Sequence, residues 1–189
     1  MKKIFKWLLV ITIFWGLLTL FTERAGPAYR FNFGLPTATQ KALIVYSPDP
    51  IYNLDEQVCI AMAKKLNQYN WRVEVSTVAA VDTTTNYDLY VLCANTYNWS
   101  PDWAITRFAK THNLSDKNVA ALTLGSGSTT RAQHRFEMIL HDQKIKLLDS
   151  RSLWLLRPND EARIEEKNVD VAKDMAAEWV EVLLDGIDN

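Results

Sequence analysis

The stretch Tyr87–Lys110, YDLYVLCANTYNWSPDWAITRFAK, decides how the rest of the chain is read. Asp88 to Cys93 is too continuously apolar for a strand with one wet face. It reads as a strand buried on both faces, as in a parallel sheet covered by helices. Ser100 is expected to cap a helix opened by Pro101 and Asp102, with Ile105, Phe108 and Ala109 on its inner side. Tyr97 and Trp99 then fall at the carboxyl end of a central strand, where open α/β sheets bind ligands, and flat aromatic faces there suit a flat, conjugated one.

The flanking sequence repeats this alternation. Upstream, Ala42 to Tyr46 is a buried strand, followed by a helix with Leu54, Val58, Ala61, Met62 and Leu66 at helical spacing and Asn53 as its N-cap. Trp71 to Val78 alternates Val73 and Val75 with Arg72 and Glu74, which predicts an edge strand. Downstream, Val119 to Leu124 is a buried strand ending in Gly125-Ser126-Gly127-Ser128, and Ala132, Phe136, Ile139 and Leu140 share one helix face. Arg151 to Leu156 is expected as the last strand, with Lys144 to Leu148 as a lead-in. Asn168 is expected to cap a closing helix carrying Ala172, Met175, Ala176, Trp179, Val180 and Leu183, stopped by Gly186. Strand and helix alternate throughout, which calls for a parallel sheet wrapped on both faces with right-handed crossovers.

The N-terminus differs in kind. Lys2, Lys3 and Lys6 precede the uncharged run Trp7 to Thr22, closed by Glu23 and Arg24. The run is apolar all round and no A-x-A-like cleavage site follows, so residues 1–24 read as an uncleaved transmembrane signal-anchor. The lysines predict a cytoplasmic N-terminus, with the remainder on the other side of the membrane. Residues 25–40 hold two Pro and two Gly with no sustained period and read as a linker, leaving 41–189 as one domain. At 189 residues and a formal net charge of -1, the chain has no basic excess that would mark a nucleic-acid partner. Cys59 and Cys93 are too few for a disulfide scaffold and read as small buried hydrophobes, although helix and strand could bring them together.

Taken together, YDLYVL-CANTYNWSP and ALTLGSGS resemble the strand, aromatic flavin loop and second flavin loop of the flavodoxin family, a likeness that runs from about Lys41 to Leu184. The resemblance implies a flavodoxin-like three-layer sandwich with five parallel strands in the order 2-1-3-4-5. It also implies FMN as a noncovalent cofactor, and electron transfer or quinone or NAD(P)H oxidoreduction as the activity. By the same resemblance Tyr97 stacks on the isoalloxazine, Asn95, Thr96 and Asn98 face its polar edge, and Gly125, Ser126 and Gly127 pass close to the ring. Trp99 stands about where the family often has Gly, and Asn95 about where it often has Pro.

The first loop departs from the family. Ser47-Pro48-Asp49-Pro50-Ile51-Tyr52-Asn53 replaces a hydroxyl- and glycine-rich phosphate turn. Two prolines remove backbone donors, and Asp49 and Asp55 bring negative charge toward a dianion. At roughly 6 Å and an effective dielectric of 20, two unit charges repel by about 3 kcal/mol, a weakening of more than about a hundredfold. Ser47, Tyr52 and Asn53 are the polar groups left there to meet a ligand. His134, Glu137 and His141 share a helix face, but alternating polar residues on an exposed helix give that spacing without a metal. Two expectations of function follow. One is a membrane-tethered flavin-dependent electron carrier or oxidoreductase. The other is a flavin-free domain of the same fold that binds a partner in a membrane-associated assembly.

Overall fold

The computed structural model describes residues 2–24, 26–82 and 84–188. Met1, Ala25 and Asn189, which bound the expected anchor, linker and domain, lie outside the described residues. The chain runs α1 (Lys2–Thr22), β1 (Arg30–Phe33), β2 (Lys41–Tyr46), α2 (Leu54–Gln68), β3 (Arg72–Thr77), β4 (Leu89–Tyr97) and β5 (Ser100–Pro101). It continues through α3 (Trp103–Thr111), β6 (Asn118–Gly125), α4 (Thr130–Asp142), β7 (Lys146–Trp154) and α5 (Asn168–Asp188).

Among the described residues the sheet has seven strands, not the five expected, in the order β1-β3-β2-β4-β6-β7 with β5 on β4. Its five parallel members, β3-β2-β4-β6-β7, keep the anticipated 2-1-3-4-5 order. The two additions are antiparallel. β1 pairs with β3 in the register Phe31↔Val75, so β3 is internal and not an edge strand. Phe31 and Phe33 pack against the core from a segment read as linker. Their period-2 alternation is only four residues long, too short to stand out from the flanking Pro and Gly. β5 is the return limb of a tight hairpin, with Tyr97 opposite Ser100 and Thr96 opposite Pro101.

Burial on both faces follows from the continuous apolar strands. Ala42, Ile44, Tyr46, Val91, Cys93 and Leu122 face α2 and α5, whereas Leu43, Val45, Leu92 and Ala121 face α3 and α4. Trp179 of α5 is fully buried and its indole N–H donates to Asp149 Oδ2 at 2.6 Å, which satisfies the one polar atom a buried Trp brings. Cys59 and Cys93 are buried free thiols within the same cluster.

Three helix boundaries differ from expectation. Asp102, not Ser100, caps α3, because Ser100 is drawn into the β5 hairpin, where its hydroxyl accepts from Arg135. Asn168 is the first residue of α5 and uses its amide N–H groups on the carbonyls of Trp154, Leu155 and Arg157. The last helix runs through Gly186 to Asp188, since a glycine within a helix costs only about 1 kcal/mol and need not end it. β7 merges the expected lead-in and strand into one, beginning at Lys146 and ending at Trp154.

Residues Lys3–Thr22 form a helix long and apolar enough to cross a membrane, with none of its hydrophobic stretch buried inside the protein.

Candidate functional site

The loops after β2, β4 and β6 meet at one rim of the sheet, as the topology requires at a point where strand order reverses. Between them lies a crevice of about 170 Å3. Of the residues singled out in the sequence, Tyr52, Asn95, Thr96, Tyr97, Gly125 and Ser126 line it. Asn98, Trp99 and Gly127 line an adjoining hollow with Trp15. Ser47 faces a separate depression beside Pro48 and Phe108. Asn53 lines none of these, and its side-chain oxygen accepts from Gln57 one turn along α2.

The first loop is folded around its own acid. Asp49 Oδ1 accepts from the backbone N–H groups of Ile51 at 2.7 Å and Tyr52 at 2.9 Å. Asp49 Oδ2 accepts from the Tyr97 hydroxyl at 2.7 Å, and the Asp49 N–H donates to Asp55 Oδ2, also at 2.7 Å. An aspartate whose side chain closes onto the N–H two residues on is the usual Asx-turn device, and the prolines on either side hold it in place. The consequence is chemical: the N–H groups of Ile51 and Tyr52, two residues that line the crevice, are already satisfied by an internal carboxylate. Burial, and then the bond to Asp49, raise the Tyr97 hydroxyl well above its ordinary pKa, so the ring carries a neutral phenol.

A second acid network lies beneath. Asn95 donates its side-chain N–H to Ser47 O at 2.8 Å and to Asp55 Oδ2 at 3.0 Å. Its backbone N–H donates to Asp102 Oδ2 at 2.9 Å. Asp102 Oδ1 in turn caps α3 through the Ile105 N–H. Burial pushes Asp102 up to about 7, opposed by hydrogen bonds from Ile105 and Asn95 and reinforced by the charges of Glu23 and Asp55. Burial likewise pushes Asp55 up to about 6 against the pull of its hydrogen bonds from Asn95, Asp49 and Glu56. The side-chain N–H of Asn95 is therefore committed to joining two loops.

The hairpin tip is strained. Asn98 and Trp99 have φ of 50° and 58°, the pair of left-handed conformations that a two-residue type I′ turn demands. Asn tolerates this and Trp does not: a left-handed bulky residue costs about 1–2 kcal/mol. Trp99 is 61% exposed, so burial does not repay that cost within the fold. On the facing loop Gly125 is required, since a Cβ there would lie 2.6 Å from Thr129 Cγ2 and 3.2 Å from Thr96 Cβ.

Sequence reasoning missed the fourth wall. The carboxyl end of α1 packs on this rim, with Leu18 and Thr22 lining the crevice. Trp15 Nε1 donates to Asn98 Oδ1 at 3.0 Å, and Asn98 Nδ2 donates to Thr19 Oγ1, also at 3.0 Å. Glu23 accepts from the Trp103 backbone N–H at 2.7 Å. The polar positions Thr19 and Thr22, near the end of a largely apolar run and four residues after Trp15 and Leu18, were the available signal. Among the described residues no group of three or more His, Cys, Asp or Glu could hold a metal.

No family model matches the sequence, and no curated protein matches it. Solved structures do. A flavodoxin from the domain Archaea superposes with a TM-score of 0.57 at 14% identity, covering 76% of this chain and 99% of that one. Two-electron reduced flavodoxin from Megasphaera elsdenii gives 0.54 at 13% identity, covering 72% and 98%. Rubredoxin oxygen:oxidoreductase from Desulfovibrio gigas gives 0.55 at 13% identity, covering 77% of this chain and 37% of that one. The chain has the flavodoxin-like fold, built around a mostly parallel sheet.

Proposed function

We propose that this chain is a membrane-tethered, flavodoxin-like binding domain that works without FMN, in a membrane-associated assembly. The observation that carries the reading is the Asp49 carboxylate, which takes the first-loop N–H groups that a phosphate would need. A dianion brought there would displace an internal anion and face Asp55 behind it. The crevice volume of about 170 Å3 adds to this, being below the roughly 300–1,000 Å3 of pockets that enclose a sizeable small molecule. The tether rests on α1, whose length and composition suit a single span, with the lysines of its first turns favouring a cytoplasmic N-terminus and the domain on the other face.

A second reading, oxidoreduction by a flavin or another planar redox ring, is favoured by Tyr97 lining the same crevice as Gly125 and Ser126. The flavodoxins it superposes on carry this reading only as far as shared fold, since function lives in the site.

One experiment separates the two. Full-length protein purified in detergent is expected to be colourless and to leave FMN fluorescence unquenched at micromolar concentration. FMN bands that co-elute with the protein would overturn the first reading. Quenching of riboflavin but not FMN, lost in Tyr97→Ala, would establish the second in a phosphate-free form.

A further inference from the structure

We propose that the carboxyl rim of the sheet is itself a membrane-docking surface, seated in the headgroup layer of the bilayer that α1 spans; this rests on the tethered reading above. The rim exposes Ile51, Tyr52, Trp99, Trp103 and Leu156, each between 47% and 72% accessible, on loops that leave the strands' carboxyl ends or open α3. These are the residue types that settle at a lipid–water boundary, and the Trp and Tyr among them are the ones enriched there.

The geometry of α1 names the occupant. Lys3–Thr22 supplies 20 residues, about what a hydrocarbon core of roughly 30 Å needs, with nothing to spare. Yet the helix touches the rim as far back as Trp15, and at 1.5 Å per residue Trp15 sits about 10 Å deeper than Thr22. A spanning helix that keeps its contacts from Trp15 and Thr19 to Asn98 therefore draws the hairpin tip at least as deep as the lipid headgroups, to the edge of the hydrocarbon. Trp99 stands beside Asn98 at that tip in a conformation that Trp adopts only at a cost. Within the protein nothing offsets that cost, whereas insertion of the indole into the interface does. Arg24, lying over the Phe21 ring, and Arg157, over the Trp154 ring, place guanidinium groups beside the same rim, where lipid phosphates would meet them.

The test uses the full chain reconstituted into phosphatidylcholine–phosphatidylglycerol vesicles, with one nitroxide label introduced through Trp99→Cys, Leu156→Cys, Tyr69→Cys or Ile11→Cys. Cys59 and Cys93 are fully buried and stay unlabelled in the folded protein. Tyr69 marks the opposite rim and Ile11 the middle of α1. Labels at 99 and 156 are expected to collide severalfold more with oxygen, relative to a water-soluble nickel chelate, than the label at 69. The Leu156→Cys protein keeps Trp99, so it reads the surface even if Trp99→Cys folds poorly. Labels at 99 and 156 as open to nickel as that at 69, with 11 shielded, would overturn the docked rim and leave the tether standing. A label at 11 open to nickel would overturn the tether and the docked rim together.

Discussion

The Tyr97 hydroxyl donates to Asp49 Oδ2 at 2.7 Å, so the aromatic ring of the second loop and the acid of the first act as one unit across the crevice. Tyr97→Phe removes a hydrogen bond to a charged acceptor. The loss is expected to be about 1.5–3 kcal/mol of unfolding free energy, read by urea denaturation of the solubilised full chain.

Asp49→Gly is expected to release the Ile51 and Tyr52 N–H groups and remove a negative charge at the same point. FMN affinity should rise by more than about tenfold over the unaltered protein, measured by fluorescence titration. Unchanged affinity in a variant that remains folded would mean that Asp49 is not what keeps the phosphate out.

Asp102 and Asp55 titrate at about 7 and about 6 when folded, above the ordinary carboxylate range. Both acids bind protons more tightly in the folded state than in the unfolded one. Their contribution to stability is therefore greatest below about pH 4 and is lost as pH rises through about 7. The fall for Asp102, a rise from 3.8 to about 7, should be on the order of 4 kcal/mol. Asp102→Asn retains an acceptor for the α3 cap and should flatten stability between pH 5 and 8, as followed by chemical denaturation at each pH.

Trp99→Gly relieves a left-handed bulky residue. Stability in detergent should rise by about 1 kcal/mol.

Gly125→Ala is expected to act in the opposite direction. Its methyl group would press on Thr129 and Thr96, and overpacking of this kind costs about 1–3 kcal/mol, visible as a lower melting temperature.

Much of this architecture was legible because its signals are long. β2, β4 and β6 announce themselves by unbroken apolar runs, and the closing helix by a stripe from Ala172 to Leu183. The order of the five parallel strands then followed from the likeness of two loops. β1 escaped notice because Arg30–Phe33 gives only two apolar positions, and its pairing with β3 is a tertiary fact. The α3 boundary was misread because Ser100 and Asp102 are both good caps, and only the Tyr97↔Ser100 pairing removes the first.

Chain position placed Tyr97, Asn95 and Gly125 at the rim where the crevice lies, but not the partners they bond to. That Asp49 turns inward onto Ile51 and Tyr52 depends on the local fold of a proline-flanked loop, although an Asp two residues before a free N–H is a recognisable turn pattern. The contact of Trp15 with Asn98 spans 83 positions, a separation over which no periodicity carries information.

Because Leu18 and Thr22 form one side of the crevice, cutting away the first two dozen residues to obtain a water-soluble fragment would also dismantle part of what is to be studied. Such a shortened protein would present an open trough where the intact one has a roofed slot. Ligand screens on the two forms should return different hits.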